Sequence, residues 1–176
     1  MLHNRRAVSW IGNLLVALSH LLASLAIADD RPVFYIDQGA CPFECCTYRE
    51  WGTREAAELY AEPKTGSPIV GTAEKGTTVK AQTGEVHTKP GKLIVTRDVG
   101  EFRKGDVLWV YTYLGEGTFR IWYRGSFIKA YVDSDDWAYF ETVPDSVWWV
   151  KIRTPGGIEG WTNESENFSN QDACAG

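Results

Sequence analysis

Four cysteines are the side chains whose type and spacing most clearly allow chemistry. Three lie in the stretch "GACPFECCTYREW" at residues 39–51, and the fourth is Cys174. Cysteines hold zinc, exchange disulfides or form structural bridges. A zinc site favours C-x2-C pairs with matching ligands, but "CPFECC" has C-x3-C-C, and His87 is the only histidine after residue 28. The C-x-x-C spacing of a redox centre is also absent, so the pattern predicts disulfides.

The spacing of the cysteines restricts how they can pair. Cys45 and Cys46 are neighbours, and their Cα atoms lie about 3.8 Å apart across a trans peptide bond, which is shorter than disulfides prefer. In the two remaining pairings, Cys41 bonds either Cys45 or Cys46, and the other of these two bonds Cys174. Both alternatives leave no free thiol and tie Cys174 to the N-terminal cysteines.

Other residue patterns give little support to catalysis or metal binding. His87 lies in the polar stretch "GEVHTKPG", which favours a solvated surface histidine, and G-x-S-x-G is absent. Asp133, Asp135 and Asp136 fail the EF-hand pattern, because its glycine and glutamate positions hold Ala138 and Pro144. A solvated turn is the favoured interpretation of these aspartates. We therefore predict a protein that is not an enzyme and has no cofactor and no metal.

Aromatic side chains are the remaining candidates for a binding site. Tryptophan and tyrosine exceed what a core of this size obviously requires, and Trp148 and Trp149 must point to opposite faces of a strand. Exposed aromatic rings form platforms for sugar rings or extended peptides, whereas core packing is the alternative for each of them. The predicted ligand-binding residues are Trp122, Tyr123, Trp137, Tyr139 and Trp148.

The first 28 residues have the three-part form of a secretory signal peptide. Arg5 and Arg6 precede an apolar stretch that ends in Ala26-Ile27-Ala28. We predict cleavage after Ala28 and export to the periplasm or the medium, an oxidising location that suits disulfides. The alternative is that the apolar run stays as a membrane anchor. After residue 28, 16 basic residues oppose 23 acidic ones, and this net charge of −7 argues against a nucleic-acid partner.

Strands are the elements that must position these residues. Alternation in "GDVLWVYTYLGEGTFRIWYRG" predicts a hairpin that turns at residues 115–117. "WWVKIRTPGGIEGW" predicts another that turns at Pro155-Gly156, with the fixed φ at Pro155 and a positive φ at Gly156. A short strand is predicted near residues 93–97, and the best helix candidate, residues 53–60, is one or two turns. Short strands with regularly spaced turns are typical of a small barrel or sandwich.

Two stretches together resemble the bacterial SH3-like (SH3b) domain. "LYAEPKTGSPIVGTAEKGTTVKAQ" at residues 59–82 resembles its opening strands, and "WWVKIRTPGGIEGWTNES" at 148–165 resembles its closing hairpin with a Gly-Trp ending. In the compact family the two halves nearly touch, whereas residues 83–147 intervene here. The matching positions are Leu59, Tyr60, Pro63, Ile69, Val70, Gly71, Lys75, Gly76, Thr77 and Val79, followed by Trp149, Val150, Ile152, Gly157, Gly160 and Trp161.

We therefore expect an all-β protein: a small SH3-like barrel with an inserted or extended β-hairpin region and a disulfide-stapled N-terminal segment. The predicted organisation is a signal peptide at 1–28, a cysteine segment at 29–56, an SH3-like domain at 57–168 with an insertion at 83–147, and a tail at 169–176 tied by Cys174. The resemblance implies an exported binding module for peptidoglycan peptides or another envelope component. The alternative is an envelope protein that docks to another protein through its aromatic hairpin.

Overall fold

A computed structural model describes residues 30–132 and 136–174, which form two antiparallel sheets. No α-helix occurs in these residues, which confirms the predicted all-β class. One 3-10 turn, Ser165–Asn167, precedes the last strand. The strands are β1 (Tyr35–Gln38), β2 (Glu50–Thr53), β3 (Ala57–Tyr60), β4 (Ile69–Ala73), β5 (Thr78–Lys89), β6 (Gly91–Val95), β7 (Val107–Gly115), β8 (Thr118–Tyr123), β9 (Ser126–Tyr131), β10 (Ala138–Thr142), β11 (Asp145–Arg153), β12 (Glu159–Thr162) and β13 (Phe168–Ser169).

The first sheet curls into a half-barrel in the order β13-β2-β5-β11-β12-β3-β4, and β1 pairs with the far end of β5. We call it the curled sheet. Residues on its inner face alternate with outward ones, as β3 shows with buried Ala57 and Leu59 between exposed or half-buried neighbours. Its core consists of Trp51, Ala57, Leu59, Ala73, Val79, Ala81, Val150, Ile152 and Phe168.

The two stretches that resemble the SH3b family both lie in the curled sheet. The earlier one supplies the end of β3, all of β4 and the start of β5, and the later one supplies most of β11 and all of β12. The two halves meet directly, since β11 pairs with β5 and Trp161 of β12 pairs with Tyr60 of β3. The chain between them therefore leaves and re-enters the sheet at neighbouring strands.

The intervening residues build a second sheet in the order β10-β6-β7-β8-β9. This second sheet has a core of its own, so the two sheets do not share one apolar cluster. Because β5 and β11 pair from Lys89↔Asp145 to Lys80↔Arg153, they form a long ladder from which the second sheet extends. The buried residues of the second core are Leu93, Val95, Phe102, Leu108, Val110, Ile121, Tyr123, Val132, Trp137 and Ala138.

Both predicted hairpins are present, with one change in a turn. The β7–β8 turn has positive φ at Gly115, Glu116 and Gly117, as the Gly-Glu-Gly sequence allows. In the β11–β12 turn, the positive φ of 86° belongs to Gly157 and not to Gly156. The Gly157 amide donates to the Thr154 carbonyl at 3.0 Å, which places Pro155 and Gly156 in the two central positions of the turn.

The predicted helix at residues 53–60 is wrong. Thr53 ends β2 and residues 57–60 form β3, between β4 and β12. Ala57 and Leu59 pack in the curled core, while Glu58 is exposed. Partners on both sides and a buried inner face outweigh the helical preference of Ala, Glu and Leu.

Two disulfides, Cys41–Cys46 and Cys45–Cys174, leave no free cysteine. They confirm the predicted local loop and long-range bridge and decide which neighbour pairs with Cys174. The tail also follows the cysteine segment, because the Thr47 amide donates to Gln171 and the Ala173 amide donates to Cys45. The bridges indicate an oxidising, non-cytoplasmic location. Among the described residues, no helix is long and apolar enough to span a membrane, and the predicted signal peptide lies outside them.

Candidate functional site

Two of the five predicted ligand-binding aromatics are core residues. Tyr123 and Trp137 are each 6% exposed and pack in the second core. The Trp137 ring stacks on Phe102 with centroids 5.4 Å apart and an interplanar angle of 7°. Their rings therefore serve packing and are not accessible to a ligand.

The other three predicted aromatics lie on separate parts of the molecule. Trp122 packs edge-on against Phe127 at 5.0 Å, and Tyr139 on β10 is 51% exposed. Trp148 is half-buried beside the curled core, 6.0 Å from the Trp51 ring, while neighbouring Trp149 lies on the opposite face against Tyr60. The structure thus confirms that Trp148 and Trp149 point to opposite faces. It does not bring the five predicted residues together on one surface.

A cleft of about 490 Å³ lies where the cysteine segment, the curled sheet and the free end of β7 meet. Its walls are mostly apolar and aromatic, and its size is in the range of pockets that take small ligands. The disulfide of Cys41 fixes the loop that carries Phe43 and Glu44 on one wall. The lining residues are Asp37, Ala40, Cys41, Pro42, Phe43, Glu44, Val86, Tyr111, Thr112, Tyr113, Leu114, Gly115 and Ser146.

The edge of β7 forms the opposite wall of this cleft. β6 pairs with β7 from Val107 to Val110, and residues 111–115 extend past the end of that ladder. The cleft therefore lies beside the end of β7 that continues beyond β6.

A β-bulge shapes the floor of the cleft. The register of β7 with β8 shifts by one residue between Val110 and Tyr113, so Tyr111 and Thr112 together oppose Arg120. Tyr111 is buried, and its hydroxyl donates to the Pro32 carbonyl. Thr112 is 7% exposed, and its buried Oγ1 has no hydrogen-bond partner among the described residues. An unsatisfied buried hydroxyl is costly, and in the described chain Thr112 shares this condition with Thr53, which does not line the cleft.

Two carboxylates are the charged side chains that line the cleft. Asp37 is half-buried on β1, and Glu44 is exposed on the cysteine loop. Neither forms an ion pair with any residue in the parts of the chain described. Arg120 has its guanidinium over the Tyr35 ring of β1 at 5.3 Å and does not line the cleft. The lining therefore carries uncompensated negative charge.

Two aromatic side chains, Tyr48 and Trp148, hold the start of the cysteine loop, the segment closed by the Cys41–Cys46 disulfide. The Tyr48 hydroxyl donates to the Ala40 carbonyl and accepts a bond of 3.3 Å from Trp148 Nε1. Burial raises the pKa of Tyr48, and the bond from Trp148 opposes this in part, so the phenol stays protonated and able to donate. These rings cross β5 at Gly84, where any side chain would meet the Tyr48 hydroxyl and the Trp148 indole. Gly84 thus lets the loop approach the sheet.

His87 is not the solvated turn residue that was predicted. It lies within β5, and its side chain is 12% exposed. Nε2 lies 2.9 Å from Glu85 Oε2, and the ring packs against Phe34 and Trp149. The prediction failed because β5 continues to Lys89 through the polar residues, with its outward face covered by aromatic rings.

Neither of the possible metal clusters gains support. Cys45, Asp172 and Cys174 are close together, but both sulfurs belong to one disulfide and cannot act as thiolate ligands. Of the three predicted turn aspartates, Asp133 and Asp135 lie outside the described residues. Asp136 is exposed and forms an ion pair with Arg97.

Comparisons with known protein families, curated proteins and solved structures found no match to this chain. The site is therefore interpreted from its own geometry. Sequence reasoning missed Asp37, Glu44 and Thr112. The only signal that could have pointed to Thr112 was its place in an alternating strand, on the same side as Leu108, Val110 and Leu114.

Proposed function

We propose that this protein is an exported, non-enzymatic module that binds a cell-envelope component, a peptidoglycan peptide or glycan, in the cleft between its two sheets. The observation that carries the proposal is the cleft itself: an open cavity of about 490 Å³ with apolar and aromatic walls, two carboxylates, and a buried Thr112 hydroxyl without a partner among the described residues. Binding sites of this kind combine apolar walls with a few convergent polar groups.

The proposed barrel is SH3-like and carries the second sheet as its insertion. The support is that the two stretches resembling the SH3b family are adjacent in the curled sheet and enclose one core. In this proposal the insertion is not a separate unit. It contributes β7 to a cleft whose other walls come from the curled sheet and the cysteine loop.

Export and the absence of catalysis are parts of the same proposal. Both disulfides fit an oxidising location, and the segment at 1–28 fits a cleaved signal peptide. His87, the one histidine after that segment, bonds Glu85 and packs between two aromatic rings. Hydrolysis by a Ser or Cys nucleophile needs that nucleophile within hydrogen-bond reach of the histidine, and in the described part of the chain the hydrogen-bond partner of His87 is Glu85.

Retention on purified sacculi tests the proposal, with two matched tyrosine variants. Tyr113 is 42% exposed and lines the cleft, whereas Tyr139 is 51% exposed on β10 and does not line it. We expect Tyr113→Ala to lose most of the retention and Tyr139→Ala to keep it. No retention of the wild-type protein above an unrelated acidic control, or equal loss in both variants, would contradict the proposal.

A second candidate function is docking to another envelope protein, and exposed apolar residues on the curled sheet favour it. Ile69 and Val70 on the edge strand β4 are 55% and 43% exposed, and Ile158 beside them is 41% exposed. The predicted aromatic hairpin is a poorer docking face, because Arg31 covers Trp109 at 3.6 Å. Loss of one crosslinked partner on Ile69→Lys, with retention on sacculi unchanged, would favour this candidate.

A further inference from the structure

We infer that the outward face of β8 and β9 holds a second binding site, for a sugar that carries a carboxylate or phosphate group. None of the residues of this site lines the cleft, so the inference goes beyond the proposed function and does not depend on it. We call the site the cationic strip. It consists of three directly opposed pairs, Trp122↔Phe127, Arg120↔Lys129 and Thr118↔Tyr131.

The second sheet directs the six side chains of the cationic strip to one side. Ile121 of β8 is buried in the second core, so its neighbours Arg120 and Trp122 point outward. The Trp122 ring lies 5.0 Å from the ring of Phe127 on β9, which places both strands' outward residues on the same side. The β8–β9 ladder has no shift in register, so every second residue of β9 from Phe127 onward lies on this side too.

Arg120, at the centre of the cationic strip, is held by an aromatic ring and not by an acid. Its guanidinium lies over the Tyr35 ring at 5.3 Å, a cation–π contact. Its side chain is half-buried, and no hydrogen bond or ion pair joins it to the residues that the structure describes. Of its three guanidinium nitrogens, Nε alone is buried without a partner, so the terminal nitrogens are open to a ligand. Their N–H groups match the geometry of a carboxylate or a phosphate.

Lys129 places a second positive charge beside Arg120. Directly opposed residues of a ladder have Cβ atoms about 5 Å apart, and like charges in this arrangement destabilise a sheet. Lys129 is exposed, and within the described chain it forms no ion pair. The cationic strip thus carries two positive charges and no acid, although the protein after residue 28 has a net charge of −7. One carboxylate or phosphate between the two side chains would replace this repulsion by two charge-assisted contacts.

The aromatic residues of the cationic strip determine what carries the acid group. Tyr131 is 63% exposed, and its ring lies against Gly117, where any side chain would meet it. Trp122 and Phe127 border the cation pair at its other end. Four residue steps of about 3.4 Å separate Phe127 from Tyr131, so rings flank the cation pair over about 14 Å. An exposed tyrosine ring is a platform for a sugar ring, and the adjacent cations then receive its acid group.

Nuclear magnetic resonance titration of the disulfide-bonded protein tests the inference with three probes that differ in one substituent. Cellobiouronic acid carries a carboxylate, cellobiose 6′-phosphate carries a phosphate, and cellobiose is neutral. We expect amide shifts at residues 118–131, and affinity roughly tenfold lower for cellobiose than for the tighter acidic probe. The tighter of the two acidic probes identifies the acid group of the ligand.

Three outcomes of this titration would overturn the inference. The first is cellobiose that binds as tightly as both acidic probes, and the second is shifts confined to other residues. The third is inorganic phosphate, or a thymidine oligonucleotide, that shifts residues 118–131 and binds more tightly than both acidic sugars. The strip would then be a site for a free anion or for nucleic acid.

Matched variants test the protein side. Lys129→Gln should lower the affinity for the acidic probes roughly two- to fivefold, whereas Lys80→Gln, at an exposed position of β5, should leave it unchanged. Tyr131→Ala should weaken binding of all three probes. Tyr139→Ala, which removes a 51% exposed ring from β10 at the opposite edge of the sheet, should weaken none. Equal effects of a variant and its control would contradict the inference.

Arg120→Met separates a binding role of Arg120 from a structural one. Methionine is a flexible, unbranched side chain that can still pack on Tyr35, but it removes the charge beside Lys129. We expect the preference for acidic probes to disappear while the melting temperature stays unchanged or rises, because the like-charge contact is gone. A lower melting temperature with unchanged binding would make Arg120 a structural residue and overturn the inference.

The cleft variant Tyr113→Ala separates this site from the proposed function. It should bind the tighter acidic probe as the wild-type protein does, although it loses retention on sacculi. Lost probe binding in Tyr113→Ala, with intact binding in Lys129→Gln, would place the probe in the cleft and overturn the inference. Failure of the wild-type protein to be retained on sacculi contradicts the proposed function alone, because the cationic strip is tested by the probes.

Discussion

The two disulfides should contribute very unequally to stability, because one closes a long loop and the other a short one. Cys45 and Cys174 are 129 residues apart in sequence, and Cys41 and Cys46 are 5 apart. In the chain-entropy account, the unfolded chain loses more freedom when a longer loop is closed. The long bridge is then worth about 5 kcal/mol and the short one about 2 kcal/mol.

The perturbation is a pair of double variants, Cys45→Ser with Cys174→Ser and Cys41→Ser with Cys46→Ser. Domains of this size have a free energy of unfolding of about 5–15 kcal/mol, so losing the long bridge removes a large part of it. The backbone bonds that join the tail to residues 45–47 remain in both variants. The difference in unfolding free energy between the two variants therefore reports mainly how each bridge restricts the unfolded chain.

Guanidinium unfolding followed by tryptophan fluorescence measures both variants against wild type. We expect the long-bridge variant to lose about 3 kcal/mol more than the short-bridge variant. Its denaturant dependence should also be steeper, since an unfolded chain without the long bridge exposes more surface. Equal losses, or a larger loss for the short bridge, would refute this reasoning.

Two further predictions concern packing and pH. Gly84→Ala should destabilise the protein by about 1–3 kcal/mol in thermal unfolding, because the new methyl group meets Tyr48 and Trp148. Gly156→Ala is the control: its methyl group has space, so stability should change by less than about 0.5 kcal/mol or rise slightly. Similar effects of both substitutions would contradict the packing account. The hydrogen bond from the Tyr123 hydroxyl, followed by that from the Arg103 amide, lowers the pKa of Asp106 below its usual 3.8. A lowered pKa in the folded state adds stability that is complete above about pH 4 and is lost as pH falls through the folded pKa. The difference in melting temperature between wild type and Asp106→Asn should therefore be constant above about pH 4 and shrink below it. A difference that does not change with pH would argue against this role.

Local patterns predicted the parts of the fold that depend on neighbours in sequence. The hairpins at β7–β8 and β11–β12 follow from alternation and turn glycines. One local and one long-range disulfide follow from the unfavourable pairing of adjacent Cys45 and Cys46, but the sequence left open which of the two bonds Cys174. The prediction of a helix at residues 53–60 failed because pairing with β4 and β12 decides the conformation of β3, and a local pattern does not show these partners. The prediction of a solvated His87 failed for a related reason, because Phe34, which immediately precedes β1, packs against its ring.

The candidate site was less accessible to sequence reasoning. The predicted aromatics were chosen by residue type, but Tyr123 and Trp137 are core residues because the second sheet needs its own apolar cluster. The cleft depends on where β6 ends relative to β7, on a one-residue shift in register and on a disulfide loop. None of these is a property of one segment, so no local pattern could have placed Asp37, Glu44 and Thr112 around one cavity.

Photo-crosslinking from the end of β7 that lines the cleft tests most directly the claim that the cleft holds the envelope ligand. A benzophenone amino acid replaces Leu114, which lines the cleft and is 36% exposed, or Tyr139, which is exposed outside it. The two proteins are irradiated with a digest of sacculi, and the adducts are sequenced by mass spectrometry. Our account predicts an adduct that bears a peptidoglycan peptide or glycan at position 114 and none at position 139. Adducts of equal yield at both positions, or no adduct at 114, would contradict it.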